Sequence, residues 1–362
     1  HIQPIANQIN IERNINSDIW QLLGKEGFLG ITASKEHGGQ NSNYTAQCLA
    51  MAALSSNSSS VGLSYAAHEN LCVNQLVRFA NTNQASKYLP KLITGENIGA
   101  LAISEKNAGS DAMAIDLDAK KTTQGYILKG KKMWITNAPH ADTIIVYAKT
   151  KQTGSKSYLS AFIIDKNIKG WQVGKMPNKI GMLGSLTAEL TFNSCLIPKE
   201  NLLGEEHKGS HIMMSGLDYE RLILAAGPIG IMENCLTITT NYMLKRKQFG
   251  KALSEFQLMQ AKIADMYTQY KAAKSFLFDT AKACDSNQLN STDCAACFLF
   301  AAEAATQVAS QTIQSLGAVG YSTDYPAAQL LADAKLYEIG GGTTEIRRLL
   351  IGKNLLKQAT IA

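Results

Sequence analysis

The sequence predicts a mainly α protein with a central β domain. Two helix-rich stretches flank a run of short strands, and the long C-terminal helices are joined by short connections. The order helix, then β, then helix excludes a dinucleotide-binding α/β sheet, which needs strands alternating with helices. A chain of 362 residues is too long for one simple core. Three domains are expected: an N-terminal helical domain over 1–97, an antiparallel β domain over 98–205 and a C-terminal four-helix bundle domain over 206–362.

In the first zone, Asp18 to Leu23 and Tyr44 to Leu54 carry helical periodicity, with a loop at Lys35–Gly39. In the second, Tyr126–Leu128, Met133–Thr136, Thr143–Tyr147 and Leu159–Ile164 are short, β-branched or aromatic, and separated by Gly, Asn, Lys and Pro. In the third, Met259, Ile263, Met266, Tyr270 and Leu277 form a helical seam. Phe298 to Leu316 reads as an Ala-rich helix ended by Gly317. Pro326 opens another through Tyr337, and Ile346 to Leu356 makes the last.

The net charge is +6, but Lys and Arg are scattered, so no nucleic-acid stripe is expected. No uninterrupted apolar run reaches ~18 residues, so no membrane-spanning segment is expected. No signal peptide is visible, and the start at His1 rather than Met is consistent with a removed leader or first helix. Seven dispersed cysteines point to a reducing compartment, and Cys294-Ala-Ala-Cys297 reads as a pair of helix thiols rather than a metal or redox site.

Six groups of residues can carry chemistry. Leu217, Leu224, Ile231 and Ile238 recur every seven residues, and Glu220 falls on their stripe. A carboxylate there is poorly solvated, which raises its pKa and suits a general base. In Leu101–Asp111, Gly109 and Ser110 make either an ordinary turn or a loop whose backbone N–H groups approach a polar ligand. Trp134 and Thr136 either pack in the core or meet a flat ring and its edge. Arg246 and Gln257 are either a solvated helix end or a pyrophosphate contact. The glycine-broken end at Gln314 and Gly317, and Gly340-Gly-Gly before the helix start at Thr343–Glu345, leave room for a nucleotide or an anion.

In order and spacing, these motifs resemble the acyl-CoA dehydrogenase family over nearly the whole chain. Leu63–Val77, Met214–Arg221 and Asp333–Gly340 carry the likeness most closely. Most members place a catalytic glutamate where this chain has Gly341, and the likeness is to the branch whose base stands on the helix instead. The resemblance implies one FAD per subunit of a homotetramer. It implies that Ile103 and Ser104, read as a strand, hold the flavin ring and ribityl chain with Gly109, Ser110, Trp134 and Thr136. Arg246, Phe249, Gln257, Gln314 and Gly317 would reach the FAD of a neighbouring subunit, and Thr343 and Glu345 its pyrophosphate or ribityl end. Ser110, Ser185, Asp218 and Arg221 would contact the CoA arm.

Glu220 would take the α-proton of a short branched acyl-CoA such as isovaleryl-CoA, with an N–H of the Gly340–Gly341 region on the thioester oxygen. Electrons would pass to electron-transfer flavoprotein. The compartment implied is the cytoplasm in a bacterium or the mitochondrial matrix in a eukaryote. Lys106, Leu183, Leu186 and Ala318-Val319 depart from the family's usual residues.

Overall fold

A computed structural model of the chain describes residues 1–154 and 156–361. The N-terminal helices are α1 (Ala6–Glu12), α2 (Ser17–Lys25), α3 (Tyr44–Asn57), α4 (Ser59–Ala66), α5 (Asn74–Phe79) and α6 (Thr82–Ile93). A π-helical stretch, Ala67–Val73, joins α4 to α5. Side chains that satisfy orphan N–H groups set several starts: Asn43 caps α3, and Asn81 with Gln84 forms a reciprocal capping box on α6.

The strands are β1 (Gly99–Ala102), β2 (Asp118–Lys121), β3 (Gly125–Thr136), β4 (Thr143–Thr153), β5 (Lys156–Asp165), β6 (Trp171–Val173), β7 (Thr187–Pro198) and β8 (Leu202–Leu203). They form one sheet in the order β6-β7-β3-β2-β4-β5-β8, with β1 also on β4. Most pairs are antiparallel, as expected. β1–β4 and β2–β4 are parallel, which alternation of residues cannot reveal. The two segments read as separate strands at Tyr126 and Met133 are one strand, β3, interrupted by irregularities against β7. The expected strand at Ile103–Ser104 is a correction: β1 ends at Ala102, and these residues lie just beyond its last pairing with β4.

The C-terminal helices are α7 (Gly209–Leu224), α8 (Ala226–Lys245), α9 (Gln257–Asp285), α10 (Ser291–Leu316), α11 (Pro326–Ile339) and α12 (Thr344–Ile361). A two-stranded hairpin of β9 (Lys247–Gln248) and β10 (Lys251–Ala252) lies between α8 and α9. α10 packs on α7, α8, α9, α11 and α12 and is the centre of the bundle. One apolar cluster joins α2, α3 and α4 to the bundle, while two others lie on the sheet's opposite faces. All seven cysteines are buried and free.

The run Gly209–Lys245 is long and apolar enough to cross a membrane. This corrects the expectation from uninterrupted apolar residues, because Asp218, Glu220, Arg221 and Glu233 interrupt the run without changing its overall character. Most of its apolar window is buried against the rest of the protein. The helix breaks register at Ala225, and Pro228 has no N–H to give the carbonyl four residues back.

Candidate functional site

Helix α7 carries Glu220 into the junction of the three zones. It packs on α3, α5, β4, β5 and α10, so one face of it is enclosed. Gly216 permits part of this closeness: a Cβ there would lie 2.5 Å from Gln75 Nε2 of α5. One turn further along, the Glu220 side chain is buried at 8% exposure. Among the described residues no hydrogen bond or ion pair engages its carboxylate. Burial pushes its pKa up to about 7, against the opposing pull of Arg221 and Arg347. A carboxylate without fixed donors, poised near neutrality, is suited to accept a proton.

The glycine loop comes to the same place. Gly341 has φ +66°, a left-handed conformation that glycine adopts freely. A Cβ built on it would stand 3.6 Å from Glu220 Oε1, 3.0 Å from Leu224 Cδ1 and 2.8 Å from Phe298 Cε1. Gly340 donates its N–H to Leu336 O at 2.8 Å, as the last turn of α11. Its N–H is therefore spent, and the expected donor region narrows to Gly341. Asp218 and Arg221 lie beside the base, joined at 2.9 Å, and Asp218 also accepts from Ser291 Oγ at 2.8 Å. Glu220, Asp218, Arg221, Gly340 and Gly341 are thus brought together.

A second group forms on the β domain. Trp134 has φ +64° at an irregularity of β3 and is 53% exposed. A bulky aromatic in the left-handed region is strained, and such strain is retained where the ring's direction matters. Met133 N donates to Ser104 O at 2.8 Å, tying the Trp134 segment to the segment after β1. Lys132, fully buried, gives its ammonium to Ile103 O at 2.8 Å and Glu105 Oε1 at 2.9 Å. Glu105 also accepts from Asp116 N and Leu117 N. This pair holds the loop around Lys106 from inside. Gly109 and Ser110 lie exposed at its rim, with nothing within 4 Å of a Cβ at Gly109. Thr136 is half-buried near the end of the same strand.

The other residues lie apart. Ser185 is fully buried and accepts a hydrogen bond from Ser64 Oγ at 2.8 Å, so its hydroxyl oxygen is already engaged as an acceptor. Arg246, Phe249, Gln257, Gln314 and Gly317 are exposed on the bundle. Among the described residues no hydrogen bond or ion pair joins them to the Trp134 group. Phe249 is 93% exposed at a hairpin tip where Phe249 and Gly250 both have positive φ. Thr343 accepts from Ile346 N at 3.4 Å at the start of α12. Glu345 follows, its carboxyl held below the usual range first by backbone N–H and then by Thr343.

Residues not singled out in the sequence also stand at the base. Arg347 of α12 is fully buried, over the Phe298 ring. Its signal was available: it lies three residues after Thr344 and four before Ile351, a charge on a bundle-facing stripe like Glu220. Tyr147 of β4 is buried near Glu220 and donates to Gln75 Oε1 at 2.5 Å. Arg78 covers the Tyr219 ring at 4.1 Å. Nothing in sequence spacing joins these three to Glu220.

Sequence models of the acyl-CoA dehydrogenase N-terminal, middle and C-terminal domains match residues 1–96, 100–195 and 207–356. A mitochondrial isovaleryl-CoA dehydrogenase of Oryza sativa subsp. japonica is 50% identical over 99% of this chain and 88% of its own length. A mitochondrial 2-methylacyl-CoA dehydrogenase of Solanum tuberosum is 48% identical over 99% and 87%. The solved butyryl-CoA dehydrogenase of Megasphaera elsdenii superposes with a TM-score of 0.95 at 32% identity, covering 98% of this chain and 94% of that one. A buried, unpaired carboxylate opposite a glycine loop thus sits within a likeness that spans all three zones: the chain belongs to the acyl-CoA dehydrogenase family.

Proposed function

We propose that this protein catalyses FAD-dependent α,β-dehydrogenation of a short branched acyl-CoA, isovaleryl-CoA to 3-methylcrotonyl-CoA in leucine catabolism, with Glu220 as the base. The observation that carries this reading is the buried Glu220 carboxylate facing Gly341, in a loop with no carboxylate of its own.

An α-proton next to a thioester is too weakly acidic for a carboxylate in water. A fixed N–H at the thioester oxygen stabilises the developing enolate, and the unspent Gly341 N–H is the donor the loop offers. Glu220 receives the α-proton. Bound FAD supplies the acceptor for the hydride that leaves the β-carbon. The protein's contribution is position and field, and burial of Glu220 keeps water away from both. Gly340 and Gly341 add no side chain of their own beside the base, so the acyl branch would be bounded by Phe298 and Leu224, which close on Gly341. A methyl's fit is worth ~1–3 kcal/mol, so discrimination among short acyl groups is real but limited.

The residues present fit FAD. Trp134 offers an exposed ring for stacking, Ile103 and Ser104 an adjacent backbone edge, and Gly109 and Ser110 an open rim with Thr136 nearby. Arg246, Phe249, Gln257, Gln314 and Gly317 face outward, as groups that serve a neighbouring subunit's cofactor would, which supports a homotetramer. Thr343 and Glu345 take the pyrophosphate or ribityl end. Ser110, Asp218 and Arg221 meet the CoA arm, and Ser185, which accepts from Ser64, keeps its own O–H to donate there. Reducing equivalents go on to electron-transfer flavoprotein, in the mitochondrial matrix or the bacterial cytoplasm according to origin.

The purified protein is expected to be yellow and to be bleached by isovaleryl-CoA faster than by butyryl-CoA or 2-methylbutyryl-CoA. The last of these tests the reading that the 2-methylacyl relative favours. Its kcat/KM should fall as pH drops through about 7, where Glu220 takes up a proton. A protein that no acyl-CoA bleaches defeats this function. Arg246→Ala should yield protein with depleted FAD and a smaller assembly by light scattering. Full retention of both would remove Arg246 from the cofactor site.

A further inference from the structure

The base lies close to a buried cation contributed by another helix. Arg347 Nη2 donates to two carbonyls, Tyr337 O at 2.6 Å and Gly340 O at 2.7 Å. These bracket the end of α11 and the first glycine of the loop. The guanidinium lies 3.5 Å from the Phe298 ring centroid, and Phe298 is the ring that limits space at Gly341. Tyr337 is itself fixed by close packing, since a Cβ on Gly227 of α8 would lie 2.2 Å from its hydroxyl. Nε and Nη1 of Arg347 have no partner among the described residues. A buried cation with half-used donors is costly, and an apolar side chain of similar volume would serve packing at least as well. The arrangement makes sense if the charge and the brace are used.

We propose that Arg347 is a positioning residue for the dehydrogenation, bracing the Gly340–Gly341 turn and keeping a fixed positive charge beside the base. The inference rests on Glu220 being that base. Glu220 is faced by Arg221 from its own helix, Arg347 from α12 and Tyr147 from β4, with Arg78 of α5 acting on the Tyr147 phenol. Arg347 is faced in turn by Arg221, Glu303 of α10 and Glu338 of α11. Arg347 pulls the Glu220 pKa down while burial raises it, and burial is the larger effect. Without Arg347 the base should hold its proton to higher pH.

The test uses the FAD-loaded protein with isovaleryl-CoA and the variants Arg347→Met and Arg347→Lys. Arg347→Met should keep its FAD and a KM within a few-fold of wild type. Its kcat should drop by up to ~10²-fold, the low end of the ~10²–10³-fold lost when an oxyanion donor is removed, because the Gly341 N–H is shifted and not lost. The acidic limb of its kcat/KM profile should move to higher pH, and exchange of the substrate α-proton in D2O should slow in step. Arg347→Lys restores the charge and one donor, so its limb should return to the wild-type position with kcat partly recovered. If Arg347→Met does not fold, Arg347→Gln, which keeps donors and loses charge, reads the same shift. A Met or Gln variant with wild-type kcat and an unmoved limb overturns the inference, as do Met and Lys variants equally slow with unmoved limbs. An inert wild type overturns the functional reading along with it.

Discussion

Glu220→Gln is expected to give a folded, yellow protein that turns over isovaleryl-CoA ~10²–10⁴-fold more slowly than wild type. The carboxamide keeps the volume of the side chain and can still meet acyl-CoA, but it cannot accept the α-proton. No ion pair is broken by the change, because the described residues offer Glu220 none, so the loss cannot be assigned to structural damage. A stability measurement separates the two further. Glu220 has a folded pKa of about 7 against an ordinary value of 4.5. The folded state therefore binds its proton more tightly than the unfolded one. That advantage is fully present below pH 4.5 and is lost as pH rises through about 7. Gln carries no charge to desolvate, so the variant should melt above wild type at pH 8, with the gap closing in acid. Flavin bleaching by Glu220→Gln at near the normal rate would remove Glu220 from the mechanism.

Gly341→Ala should lower kcat/KM by ~10²-fold while leaving FAD bound. Alanine at φ +66° is strained, and its methyl would sit 2.8 Å from Phe298 Cε1 and 3.0 Å from Leu224 Cδ1. Overpacking of this kind costs ~1–3 kcal/mol. Because the same residue carries the free N–H, relief by backbone shift moves the donor. The same crowding bears on relocating the base to the loop by combining Glu220→Gly with Gly341→Glu. That pair should recover only a small part of wild-type turnover, and adding Phe298→Leu should raise it. Stopped-flow flavin reduction measures all three. A Gly341→Ala protein with unchanged kcat/KM would show that the loop has slack the geometry denies it.

The fold class was legible because periodicity changes sharply at both ends of the strand-rich zone, and Glu220 was legible because a carboxylate interrupts an apolar stripe. What escaped depends on tertiary pairing. The parallel contacts of β1 and β2 with β4 leave no local pattern, and Ile103–Ser104 carry strand-like residues just past the last paired position. The left-handed backbone at Trp134 is fixed by how β3 meets β7, not by the tryptophan. Spacing marks Arg347 as a charge on the bundle-facing stripe of the last helix, but its tie to the glycine loop appears only when Tyr337 and Gly340 supply its acceptors from another element.

The β9–β10 hairpin bears on supply as well as geometry. Phe249 stands almost wholly in solvent, at a tip where its ring meets the Phe256 ring edge-on at 6.2 Å and leaves the rest of its surface open. If that tip closes a cofactor site on a neighbour, each bound flavin is held by two chains at once. Loading and assembly then become one equilibrium governed by mass action. Dilution would strip both together, and a cell short of the vitamin from which flavins are made would hold less of the assembled protein, not merely the same assemblies left empty.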